Sequence, residues 1–111
     1  MKIDITGRHF HVTDPLRVYT DEKIGKLDKY SLKLEAAHVI FDVQKFMHFS
    51  EIVLRGKRMR LTAKAASTDM YSAFDKSFDS IRLQLERRHE RVRDRQAYRA
   101  DKQSQTGRRA K

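Results

Sequence analysis

From Ile81 to Lys111 the chain carries eleven Lys or Arg residues against four Asp or Glu, a surplus of +7 out of a formal net charge of +10. Arg82, Arg87, Arg88, Arg91 and Arg95 fall along one helical stretch, and Lys23, Lys26 and Lys29 recur at steps of three in another. Cations at such spacing suit phosphate. Lysine supplies a mobile point charge, and arginine a planar fork that donates two parallel hydrogen bonds. Charge on a helix face is often ordinary solvation, but its concentration at one end of the chain favours a polyanion-binding surface. Other chemistry is poorly supported. His9 and His11 fall on the same side of a strand and His48 adds a third imidazole. No cysteine or suitably spaced carboxylate completes a set, so no metal is expected. Asp75 and Asp79 lie one turn apart but lack a nucleophile, a second acid cluster or a Gly-rich loop, and read as balancing nearby cations. Tyr71, beside an apolar stripe, reads as a packed side chain more readily than as a platform for a base. The chain has no Walker motif, no G-x-G-x-x-G and no Ser/His/Asp signature, so neither catalysis nor a cofactor is expected.

The elements that must position these cations are legible in the pattern of apolar residues. Ile3 and Ile5 alternate with polar neighbours as a half-buried strand. Asp14-Pro15 reads as a helix start, with Asp14 as N-cap and Pro15 at the first helical position. Leu16, Tyr19, Ile24 and Leu27 give that helix an apolar side, with the three lysines largely off it. Gly25 interrupts it, at a cost of about 1 kcal/mol relative to alanine and with no evident reason. Further strands are expected over about 38–46, 51–55 and 59–65, with a turn at Gly56-Lys57. Ser67-Thr68-Asp69 offers caps for a last helix, whose Met70, Phe74, Phe78, Ile81 and Leu85 mark a core-facing side. The order is β-α-β-β-β-α, an α+β fold. A right-handed parallel unit comes first, antiparallel strands follow, and both helices cover one face of a four-stranded sheet. At 111 residues the chain is one domain, expected over residues 1–98. Residues 99–111 read as a basic, disordered tail.

Composition narrows the setting. No apolar run approaches the roughly 20 residues of a membrane span, and the start shows no signal-peptide apolar region. The absence of cysteine suits a reducing, cytoplasmic location. A pI near 10.2 favours nucleic acid. A membrane surface is less suitable, because the basic stretch lacks the apolar face an interfacial helix needs.

Three segments carry a resemblance: Ile3-Asp4-Ile5-Thr6-Gly7, Glu22 through Tyr30 with its spaced lysines, and Asp69-Met70-Tyr71-Ser72-Ala73-Phe74-Asp75 continuing through Asp79, Ile81, Gln84 and Leu85. Together with the element order, they make residues 1 to about 92 resemble the short form of the ribosome hibernation-promoting factor family, which includes the ribosome-associated inhibitor protein Y. The resemblance implies a non-enzymatic, monomeric translation inhibitor that binds the small ribosomal subunit and the 70S ribosome. It would occupy the rRNA-lined channel for mRNA and tRNA and store ribosomes inactive in starvation or stationary phase. The expected rRNA contacts are the cations that spacing and charge single out: Lys23, Lys26, Lys29, Arg82, Arg87, Arg88, Arg91 and Arg95. The chain departs from the family's pattern at Ser80 and Leu83, where the family often has Lys and Arg, and at Arg87-Arg88-His89, where Lys-His-Lys is usual. Two rival functions compete: a general double-stranded RNA binder, and a small RNA-processing enzyme, which would need a catalytic cluster the chain does not visibly supply.

Overall fold

In the computed structural model the backbone is described for residues 1–30 and 33–104, and side chains as far as residue 91. The elements are β1 (Lys2–Arg8), α1 (Asp14–Gly25), a 3-10 segment (Lys26–Tyr30), β2 (Leu34–Gln44), β3 (Met47–Gly56), β4 (Met59–Ser67) and α2 (Met70–Ser104). The strands lie side by side in sequence order, β1 parallel to β2 and the other pairs antiparallel. This is the β-α-β-β-β-α, α+β arrangement that the alternation in the sequence implies.

Side-chain alternation divides the sheet into two faces. Val39, Phe41, Ile52, Leu54 and Ala63 turn inward and are buried with Leu16 and Ile24 of α1 and with Met70, Phe74, Phe78, Ile81 and Leu85 of α2. Burying a side chain of this size contributes roughly 1.5–3 kcal/mol, so one contiguous cluster ties both helices to one face. Ser50 and Ser77, fully buried where α2 crosses β3, share a 2.9 Å hydrogen bond, which satisfies both hydroxyls. The opposite face carries Lys2, Asp4, Arg8, His38, Arg55, Arg60 and Lys64, all exposed.

Local details depart from the sequence expectations. The cap of α1 is Thr13, not Asp14: Thr13 is extended (ψ 159°) and its hydroxyl accepts from the Leu16 amide at 3.4 Å. Asp14 lies in the first turn instead, where a carboxylate favours the helix N-terminus. The α-helix ends at Gly25, and the chain tightens to 3-10 geometry through Tyr30. Glycine propagates a helix poorly, and the three-residue period buries Leu27 and Tyr30 together. Lys23, Lys26 and Lys29 therefore do not share one α-helical side. β2 begins at Leu34 instead of 38, because its start is paired with both β1 and β3, and β3 begins at Met47 because a two-residue turn, Lys45-Phe46, joins the strands. The expected boundary near residue 98 falls within α2, which runs to Ser104, and residues 105–111 lie outside the described residues.

Candidate nucleic-acid interface

α2 is anchored first. Asp69 caps it, its side chain accepting from the Ser72 amide at 3.0 Å and its carbonyl from the Ala73 amide at 2.9 Å. Among the residues with described side chains the core stripe reaches Leu85, and the helix continues to Ser104. The basic stretch overlaps the end of this stripe, and its cations lie on two flanks of the helix.

On the flank facing α1 and the 3-10 segment, the cations are held by protein. Lys23 Nζ lies 3.9 Å from Asp75 Oδ1, and over the rings of Tyr19 and Phe78 at 5.5 and 5.2 Å. The Tyr19 hydroxyl donates to the same Asp75 oxygen at 2.7 Å. That bond, with burial, pushes the Tyr19 phenol up to about 12. Further along α2, Glu86 Oε2 accepts from the Tyr30 hydroxyl at 2.7 Å and from Arg82 Nη1 at 2.8 Å. These bonds, Tyr30's first, hold Glu86 below its ordinary value, and the Glu86 bond raises Arg82. Burial, reinforced by Glu86, raises Tyr30. Asp79 adds a 3.7 Å contact to Arg82. Asp75 and Asp79 therefore balance cations, as their spacing suggests. Lys23 is a strut between α1 and α2, while Arg82 braces Glu86, whose bond to Tyr30 ties the 3-10 segment to α2. Lys26 and Lys29 are on the 3-10 segment, Lys29 exposed and reaching over the Tyr30 ring at 5.3 Å.

The flank along β4 is more open. Gln84 donates to the Thr62 carbonyl at 3.1 Å, fixing α2 against the strand. Below it Arg87, Glu90 and Arg91 join Leu61 and Gln84 around a shallow depression between helix and sheet. Arg87 and Arg91 are exposed, whereas Arg88 is half-buried and reaches the Arg58 carbonyl at 3.4 Å. Arg95 is on the helix, beyond the residues with described side chains. Ser80 is exposed and Leu83 is 44% exposed.

The Arg58 contact leads to residues the sequence reading passed over. Arg55, Lys57, Arg58 and Arg60 crowd the β3–β4 hairpin, all exposed, and the Arg58 carbonyl at its turn meets α2. The signal was available, since four of the six residues from Arg55 to Arg60 are cationic, but Gly56-Lys57 read only as a turn.

The remaining candidates resolve simply. Tyr71 is 39% exposed and packs edge-on to Tyr19 at 5.3 Å. His9 hydrogen-bonds Asp42 at 3.0 Å, His38 hydrogen-bonds Thr6 at 2.8 Å, and His48 packs edge-on to Phe10. Among the described residues no group of three His, Cys, Asp or Glu could hold a metal, and no helix is long and apolar enough to cross a membrane.

The family model described as Sigma 54 modulation protein / S30EA ribosomal protein matches residues 3–93. A ribosome hibernation promoting factor of Salmonella typhimurium is 30% identical over 93 residues, covering 84% of this chain and 98% of that relative. One from Azotobacter vinelandii is 33% identical over 96 residues, 86% of this chain and 90% of the other. Among solved structures, the protein Y N-terminal domain of Thermus thermophilus superposes with a TM-score of 0.72 at 27% identity, over 78% of this chain and 98% of that one. A ribosomal subunit interface protein from Coxiella burnetii shares the fold, with a TM-score of 0.73 at 24% identity, over 78% of this chain and 96% of the other.

Proposed function

This chain belongs to the Sigma 54 modulation protein / S30EA ribosomal protein family, that of the ribosome hibernation promoting factors, and on that footing we propose that it binds the small ribosomal subunit and inhibits translation by occupying space. Its site would be the rRNA-lined channel for mRNA and tRNA, where a bound protein blocks initiation and keeps the ribosome inactive in starvation or stationary phase. The observation that carries this reading is the family match across residues 3–93, which takes in Lys26, Lys29, Arg87, Arg88 and Arg91. Lys26, Lys29, Arg87 and Arg91 have the exposure that phosphate contact requires. Lys23 would contribute by holding α1 to α2, and Arg82 by bracing the Glu86 that holds the 3-10 segment to α2. Binding of this kind needs no catalytic group.

A competition experiment tests the mechanism. In a cell-free system the purified protein is expected to inhibit translation. Small subunits preloaded with mRNA and with tRNA in the acceptor and peptidyl sites should exclude it. Simultaneous occupancy by the protein and both tRNAs would count decisively against the channel as its site.

A further inference from the structure

The β3–β4 hairpin carries cations at positions where simple stability would choose otherwise. Arg55 and Arg60 are directly opposed on neighbouring strands, on the face no helix covers. Like charges so placed repel. The two turn residues between the paired Gly56 and Met59 are Lys57 and Arg58. Arg58 has φ 60°, a left-handed conformation that glycine or asparagine adopts more readily than arginine. Among the described residues no carboxylate pairs with Arg55, Lys57, Arg58 or Arg60. Glu51, further along the open face, is opposite Lys64. This differs from the α1 flank, where Asp75, Asp79 and Glu86 engage Lys23 and Arg82.

The hairpin is also not isolated. The 3.4 Å bond from Arg88 to the Arg58 carbonyl joins its tip to α2, next to exposed Arg87 and Arg91. The turn meets α2 at this bond, while Arg55 and Arg60 project from the open face of the same hairpin. We propose that Arg55, Lys57, Arg58 and Arg60 form a phosphate-binding element for paired RNA, tied to α2 through the bond from Arg88 to the Arg58 carbonyl. The paired form follows from the chemistry of the patch. Readers of single strands stack bases on aromatic rings. Arg55 to Arg60 contain none, and in Gln84 to Arg91 the only ring, His89, packs against Tyr30 at 5.8 Å. A surface of cations without rings suits a duplex, recognised by its shape and backbone. The inference rests on the ribosomal reading for which RNA is bound, not for the chemistry of binding.

Binding of the full chain should be measured across a salt series against small ribosomal subunits, an RNA duplex of about 20 base pairs, and one of its strands alone. Two variants are informative: Arg58→Gly alone, and Arg58→Gly combined with Arg55→Gln, Lys57→Gln and Arg60→Gln. Removing one phosphate interaction should flatten the log–log salt slope by about 0.9. The fourfold variant should therefore flatten it by about 2 to 4 and bind subunit and duplex at least ~10-fold more weakly at low salt. Arg58→Gly should weaken binding while leaving the melting temperature equal or higher, which distinguishes a missing phosphate ligand from a damaged fold. Unchanged affinity and slope for the fourfold variant on both probes would overturn the inference and leave the ribosomal reading intact. Hairpin-dependent duplex binding without small-subunit binding would keep the inference and sink the ribosomal reading. Preference for the single strand would overturn the assignment to paired RNA, and failure to bind any probe would overturn both.

Discussion

Lys23 is half-buried between Asp75 and two aromatic rings, whereas Lys29, on the segment that follows, is exposed. Substitutions should therefore act differently along this run. Lys23→Ala should lower the melting temperature, because its amphipathic stem no longer packs on Tyr19 and Phe78, and should reduce ribosome affinity only slightly. Lys26→Glu with Lys29→Glu should change stability by under about 0.5 kcal/mol per site while weakening small-subunit binding about tenfold or more at low salt. Thermal melts paired with subunit-binding assays read both effects. The reverse pattern would assign the phosphate contact to Lys23. The sequence displays residue type and spacing, which identify all these positions as cations. It does not display which carboxylates return to meet them. Tyr19 with Asp75 and Tyr30 with Glu86 are each 56 residues apart, so the partition into struts and free cations emerges only when α2 docks.

At the scale of elements, strong periodicity is readable in the sequence and junctions are not. Met70, Phe74, Phe78, Ile81 and Leu85 are all buried, as their spacing along α2 implies, and the alternation in β4 gives its inward face. The joint between α1 and the 3-10 segment depends instead on how Leu27 and Tyr30 reach the core together. The cation-rich hairpin is hidden by the turn it encloses. Gly25 marks the joint. A methyl group there would meet no atom within 4 Å, and its backbone is not left-handed, so nothing in the packing requires glycine. Gly25→Ala should stabilise the protein by about 0.4–1 kcal/mol, largely by restricting the unfolded chain. In a domain of this size that raises the melting temperature by several degrees. Gly7→Ala should do the opposite, since its methyl would lie 2.3 Å from the Phe10 carbonyl oxygen. Calorimetry of the two variants checks the contrast, and a destabilised Gly25→Ala would show that the joint needs its freedom.

The whole molecule separates packing from charge. Its core lies on one face of the sheet and, among the residues with described side chains, reaches Leu85 on α2, while the distal helix and the adjoining β3–β4 hairpin carry the densest cations. A net charge of +10 on 111 residues destabilises the compact state through self-repulsion, and a polyanionic partner relieves that repulsion. Family membership directs attention to the ribosome, and electrostatics predicts binding that salt releases. Co-sedimentation of the purified full chain with separated small and large subunits, at low and at raised salt, is the most direct measurement. The protein should pellet with small subunits and with whole ribosomes and return to the supernatant as salt rises. Equal binding to isolated large subunits, or no binding to small subunits at low salt, would contradict a small-subunit hibernation factor.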